Sequence, residues 1–175
     1  MKGAWNALIE RSDGHFLCAG SGFQSVHEIE SDGQYILNLK IKRAAPAKIQ
    51  QIALGRPGGQ EVLFACLQDN TVRAFIIEEK ALVEIAQLKE PIKVQQLLWD
   101  PFREVLYFGE ECENRKMRVR TVSWSGEVQK SLKVEGVLVE PEMNLDICGW
   151  GVAGEKSLYC FERNTQSIIE LKLID

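Results

Sequence analysis

Histidine is nearly absent from this 175-residue chain: only His15 and His27 occur, and the five cysteines contain no CxxC pair. That scarcity argues against a structural zinc or similar site, which needs clustered His and Cys at short spacings. An odd number of scattered cysteines argues equally against a disulfide framework. Long apolar runs are missing too. No stretch approaches the roughly 18 residues of a membrane span, and residues 1–7 lack the apolar segment of a signal peptide. Excess positive charge is also missing: at a formal net charge of −4 the chain has no global basic field to draw it to nucleic acid or to an anionic membrane. GxSxG, HExxH, P-loop and helix-leading GxGxxG motifs do not occur. The expectation is an intracellular, soluble protein with no cofactor, no metal and no catalytic residue of its own.

Sufficient apolar content for a packed core is present. Hydrophobic residues make up 45% of the chain and charged residues 26%, an ordinary balance for one globular domain. Helical periodicity is hard to find, and in its place a motif returns. Gly14-His15-Phe16-Leu17-Cys18-Ala19-Gly20 comes back as Gln60-Glu61-Val62-Leu63-Phe64-Ala65-Cys66, as Arg103-Glu104-Val105-Leu106-Tyr107-Phe108-Gly109 and as Glu155-Lys156-Ser157-Leu158-Tyr159-Cys160-Phe161. Lys48-Ile49-Gln50-Gln51 against Lys93-Val94-Gln95-Gln96 is a second match in the same phase. Two independent segments repeating together indicate a repeat architecture with a period of about 45 residues.

Each unit divides into short strands bounded by turn residues. In the second unit, 48–54, 61–67, 71–77 and 82–88 read as strands, separated by Gly55-Arg56-Pro57-Gly58-Gly59 and Gln68-Asp69-Asn70. The segment 61–67 is almost wholly apolar, as a strand buried on both faces should be. The third unit repeats the order at 93–99, 105–109, 116–124 and 127–134, and the first at 3–10, 15–19, 24–30 and 34–42. In the fourth, 143–149, 157–161 and 166–174 give three strands, one short of a full unit. Cys18, Cys66 and Cys160 recur in the second strand of their units and read as inert core thiols.

Four short antiparallel strands per unit, with Leu98-Trp99-Asp100-Pro101 before Val105-Leu106-Tyr107-Phe108, Asp69-Asn70-Thr71-Val72-Arg73, and Gly154-Glu155-Lys156-Ser157-Leu158-Tyr159, resemble the blades of the β-propeller superfamily in a divergent WD40-like form. The resemblance spans the whole chain. The closing Trp-Asp dipeptide of WD40 blades is missing, and Phe75-Ile76, Val122-Ser123 and Leu171-Lys172 stand in its place. The resemblance implies an all-β partial propeller, a single domain over 1–175, with blades near 1–43, 44–90, 91–136 and 137–175. A propeller must close, because an open stack leaves strand edges and blade faces uncovered. The chain is therefore expected to be a part of a longer propeller, a half completed by a second copy or a different protein, or a strained four-bladed ring. A fourth strand added to the last blade by a partner is one way to complete it.

The function this implies is a non-catalytic protein–protein interaction scaffold, a subunit of an intracellular complex. The alternatives are a hydrolase of the six-bladed lactonase type, using Asp69, Asn70, Asn144, Asp146 or Asn164 around a calcium ion, and a lipocalin-like small-ligand barrel suggested by Gly3-Ala4-Trp5. The candidate partner-binding residues are two basic patches, Lys42 and Arg43 in one connection and Arg115, Lys116, Arg118 and Arg120 in another, together with Phe23 and Trp150 in glycine-flanked positions. Arg118 and Arg120 share a strand face, where cross-strand pairs with Glu110, Glu111 and Glu113 are the plainer reading. Without interleaved exposed aromatics, nucleic-acid binding is a minority reading.

Overall fold

A computed structural model describes residues 5–20, 24–41, 48–88, 93–111, 116–123, 133–137, 143–144, 147–153, 157–162 and 166–172. Among these the chain is almost entirely β. The first blade holds β1 (Trp5–Glu10), β2 (Phe16–Gly20), β3 (Ser25–Ile29) and β4 (Tyr35–Ile41), and the second holds β5 (Ile49–Gly55), β6 (Val62–Leu67), β7 (Val72–Glu78) and β8 (Ala81–Gln87). The third holds β9 (Val94–Asp100), β10 (Val105–Glu111), β11 (Lys116–Ser123) and β12 (Lys133–Val137). After a two-residue strand β13 (Met143–Asn144) come β14 (Ile147–Ala153), β15 (Ser157–Glu162) and β16 (Ser167–Lys172). Within each blade every strand pairs antiparallel with its sequence neighbour. No helix is long and apolar enough to cross a membrane among the described residues.

Asx-type turns set the hairpins. The carboxylates of Asp13, Asp32, Asp69 and Asp100 each accept the backbone N–H two residues on, from His15, Gln34, Thr71 and Phe102. In the first three turns this side-chain bond adds to backbone bonds such as Arg11 N–H to His15 O at 2.8 Å and Leu67 N–H to Thr71 O at 2.9 Å, and together they fix the reversal. Gly14 and Gly33, at φ of 82° and 86°, take left-handed positions that other residues rarely adopt.

The blades stack face to face, and β6 shows it best. Leu63, Ala65 and Leu67 pack with Leu17, Ala19, Val26 and Leu39 of the first blade, whereas Val62, Phe64 and Cys66 pack with Leu106, Phe108 and Val122 of the third. Period-two alternation of an all-apolar strand thus serves two cores at once. Each fully buried Leu or Phe in these layers contributes about 1.5–3 kcal/mol. Trp99 closes the second layer by stacking on Phe64, with ring centroids 5.5 Å apart and planes 15° from parallel.

Four features depart from the sequence reading. Leu17 faces the following blade, whereas Leu63 and Leu106 face the preceding one, so the first repeat is one residue out of phase despite the matching motif. A one-residue slip in a strand exchanges its two faces, which motif alignment does not detect. Residues 143–144 pair with β11 instead of opening the fourth blade, whose first strand is Ile147–Ala153. The outer strands β4 and β8 pair in parallel at Lys40–Ala81 and Ile41–Leu82, joining the first two blades into one eight-stranded sheet. The lipocalin-like barrel does not hold: the described strands form three sheets, ordered β1-β2-β3-β4-β8-β7-β6-β5, β12-β11-β10-β9 and β14-β15-β16, with none closed on itself.

Candidate functional site

The antiparallel order brings the turns 11–15, 56–61 and 101–104 to one end of the stack, and a group of paired charged side chains lies there. It is built around Glu28. This carboxylate sits in β3 with its side chain only 6% exposed, where an unpaired charge would be costly. Arg11 Nη1 meets it directly, and His15 Nδ1 lies 3.2 Å from the same oxygen. Arg11 also pairs with Asp13 at 3.0 Å and, through Nε, with Glu61 at 3.2 Å. Burial acts to lower the Arg11 pKa, but the Glu28 hydrogen bond and the charges of Asp13, Glu28 and Glu61 outweigh it and raise it.

Glu61 ties two blades together. Its Oε1 accepts the Ser12 backbone N–H at 2.7 Å and the Ser12 hydroxyl at 2.6 Å, and Arg56 Nη2 lies 3.4 Å away. Burial pushes the Glu61 pKa up, yet the Ser12 bonds and Arg11 together hold it below the usual carboxylate range. One turn further on, the Gly58 N–H donates to Glu104 Oε1 at 3.3 Å, so the turns of three successive blades form a continuous strip.

Asp13, His15 and Glu28 each offer a ligand atom within 4.8 Å of the others, a spacing that suits a divalent cation. The Arg11 guanidinium already contacts both of those carboxylates, so it supplies the cation and a metal would have to displace it. His15 is a half-exposed imidazole oriented by carboxylates, the arrangement of a general base. The hydroxyl of its own turn, that of Ser12, donates to Glu61 instead of to the imidazole, so no Ser–His nucleophile pair forms within this turn.

A second polar knot lies in the third blade. Asp100 is wholly buried and accepts the N–H groups of Phe102 and Arg103 at 2.8 and 3.1 Å, while Tyr107 Oη donates to it at 3.3 Å. Burial and the Asp100 charge push the Tyr107 hydroxyl up to about 12, so it remains protonated. The knot is internally satisfied and holds the turn that presents Phe102, 58% exposed.

Of the residues expected to bind a partner, the structure describes the side chain of Arg120 alone. It pairs with Glu110 at 3.2 Å and lies 6.0 Å from the Phe108 ring centroid, which is the plainer cross-strand reading. Phe23, Lys42, Arg43 and Arg115 lie outside the described residues. So do the side chains of Lys116 and Arg118 in β11 and of Trp150 in β14. Among the residues considered for calcium, Asp69 and Asn70 build the β6–β7 turn: Asp69 accepts from Thr71 and pairs with Arg73 at 3.1 Å, and Asn70 sits at φ 62°. Asp146, Asn164 and the Asn144 side chain are outside the described residues. The Arg11–Glu28–Glu61 cluster was not anticipated from sequence. The signal available was Glu28 itself, a charge within the short strand Ser25–Ile29, whose first four residues are buried.

Cys18 and Cys66 are buried free thiols, in keeping with a core role. Burial raises both pKa values, and with the nearby Asp69 charge it pushes Cys66 to about 12.

No protein-family profile matches the sequence, and no curated protein sequence does. Solved structures do match in shape. A chain from the crystal structure of the mitotic checkpoint complex superposes with a TM-score of 0.67 at 12% identity, over 98% of this chain and 49% of that one. A putative 6-phosphogluconolactonase from Bacteroides uniformis ATCC 8492 gives 0.68 at 13% identity, over 98% of this chain and 51% of that one. The Cps50 (Swd1) beta-propeller domain of Myceliophteria thermophila gives 0.63 at 16% identity, over 99% and 55%. The chain thus spans about half the length of the structures it matches, and at these identities the likeness concerns the fold. Stacked four-stranded antiparallel blades, joined in sequence order and matched across nearly the whole chain, give this protein the fold of a β-propeller.

Proposed function

We propose that this chain is a non-catalytic interaction module, a run of propeller blades whose outward faces are completed by further blades of a protein complex. The observation that carries the reading is apolar exposure on the first and last blades. Leu8 lies 62% exposed in β1, on the face opposite to Ala7 and Ile9, which pack toward the second blade. Ile168 is 72% exposed and pairs across strands with Phe161, 39% exposed, in the last blade. Contiguous apolar groups on a sheet face mark an interaction site when nothing else covers them. The charged cluster on the turns supports the same reading, because its cation is internal and it joins blades to one another. Partners, compartment and membership of an intracellular complex belong to this proposal.

Hydrophobic-dye fluorescence tests it. Wild-type chain is expected to bind the dye, and Leu8→Glu and Ile168→Glu each to reduce that signal with unchanged circular dichroism. Equal dye binding by all three would mean that these faces are not open, and the proposal would fail.

A second reading, a lactonase-like hydrolase, is favoured by the half-exposed His15 beside Glu28. A panel of lactones and esters separates the two. Turnover that disappears in His15→Ala would favour the hydrolase, and background rates in both proteins favour the interaction module.

A further inference from the structure

We propose that the turn Asp100-Pro101-Phe102-Arg103-Glu104 docks a basic segment of a partner polypeptide, with Phe102 as the apolar anchor and Glu104 as the acceptor of a cationic side chain. This rests on the reading of the chain as an interaction module and names a surface at the turn end of the stack, away from the blade faces. The Asx-type turns of Asp13, Asp32 and Asp69 place His15, Gln34 and Thr71, all polar, at the position whose N–H the carboxylate accepts. In the turn of Asp100 that position is Phe102, 58% exposed. A polar side chain there is solvated, whereas a phenyl ring leaves apolar surface in water, which a bound partner removes. The ring is carried on a rigid support. Asp100 is wholly buried and accepts from the N–H groups of Phe102 and Arg103, from the Tyr107 hydroxyl and, at 3.4 Å, from Arg103 Nη1. An aromatic anchor whose backbone is fixed before binding loses little conformational freedom on docking.

Charge sets the kind of partner. Arg103 lies against Asp100, Arg56 against Glu61, and Arg11 is taken up by Asp13, Glu28 and Glu61. The guanidiniums of the three turns are thus already matched to carboxylates, which outnumber them. Glu104 is exposed, and among the described residues it takes only the Gly58 N–H at 3.3 Å, an uncharged donor. Its φ of 52° is left-handed, an uncommon state for a residue with a Cβ, and this fixes where the side chain leaves the turn. The β7–β8 hairpin reaches the same end of the stack and adds Glu78 and Glu79 against one Lys80. This end is therefore acidic, and a basic segment is its electrostatic complement, whereas an acidic one is repelled. One arginine or lysine side chain answers both features of the turn. Its cation pairs with Glu104, and the same group rests favourably on an aromatic face.

The experiment uses the full chain, immobilised, and a phage-displayed library of random heptapeptides as the probe. The enriched sequence is then synthesised with a fluorophore, and its affinity is read by fluorescence anisotropy. Enriched sequences are expected to carry arginine or lysine beside an apolar residue, and their binding to weaken as salt is raised. Phe102→Ala and Glu104→Gln should each weaken the peptide by about fivefold or more. Both should keep the circular dichroism spectrum of the wild type, because the ring is exposed and glutamine still accepts from the Gly58 N–H. Failure to enrich any sequence overturns the proposal, and so does enrichment of acidic ones. Weakening in Glu104→Gln but not in Phe102→Ala would reduce the contact to charge and remove the anchor. Weakening in Phe102→Ala alone would remove the cation and with it the basic partner. Equal affinity in wild type and both variants would place the peptide elsewhere on the chain, which overturns the proposal as well. Dye binding that depends on Leu8 and Ile168, alongside any of these failures, would leave the interaction module standing and strike this surface alone.

Discussion

Replacing Gly55 by alanine should destabilise the contact between the second and third blades through one identifiable clash. A Cβ built on Gly55 would lie 2.5, 2.7 and 2.8 Å from Cδ2, Cε3 and Cε2 of Trp99, well inside van der Waals contact. The Gly55 backbone is not among the left-handed glycines, so the cost is that of contact alone. Trp99 is also stacked on the Phe64 ring with centroids 5.5 Å apart, so it can move only by giving up that contact. Phe64 is itself 1% exposed and fixed within the layer that holds Leu106, Phe108 and Val122. Overpacking a well-filled interior by one methyl group costs about 1–3 kcal/mol. For a chain of this size that corresponds to a melting temperature lower by about 2–12 °C. Thermal and urea unfolding followed by far-ultraviolet circular dichroism would measure it. Trp99→Leu in the same background should recover part of the loss, with a coupling of about 0.5–3 kcal/mol between the two positions. A Gly55→Ala protein within about 0.5 kcal/mol of wild type would refute the argument, because the indole would then not be where the blade stacking puts it.

Glu61→Gln should weaken the tie between the first two blades by about 1.5–3 kcal/mol, the range for hydrogen bonds to a charged group, as measured by urea unfolding. The Glu61 pKa is held below its unfolded value, so its contribution is complete above about pH 4.5, lost as the pH falls below that, and absent from the variant's acid limb. Burial lowers the His27 pKa, and the unfolded chain therefore binds more protons below pH 6.5. Stability should then be greatest above pH 6.5 and decline as the pH drops, with a smaller decline in His27→Gln. The Cys66 thiol, raised to about 12, should resist iodoacetamide in the native protein at pH 8 and react once the chain is unfolded in urea.

The strands were legible because their apolar content is decisive. The run 61–67 was expected as a doubly buried strand and Val62–Leu67 is one, buried throughout, since so short an apolar run between two turns suits a strand buried on both faces better than a helix. Turn chemistry was equally readable, with Asp69-Asn70 and Asp32-Gly33 reversing the chain as their side chains and torsions allow. The phase of the first repeat was not. Leu17 and Leu63 occupy the same motif position on opposite faces, and the motif alone carries no information about which neighbour lies on which side. The β4–β8 pairing was equally invisible, because an outer edge shows no alternation that names its partner. At the site, His15 was noted only as one of two histidines, and its partners were not seen. Arg11, Glu28 and Glu61 are brought together by the hairpins from positions up to 50 residues apart, and no local pattern encodes that meeting.

The most direct test of the proposed interaction module is the mass of the purified chain by light scattering after size exclusion, across a hundredfold range of concentration. The account predicts a mass that rises with concentration above the 19.8 kDa of one chain and falls back toward it in Leu8→Glu. A wild-type mass that stays at that of one chain throughout would contradict it, because the outward blade faces would then have nothing left to complete.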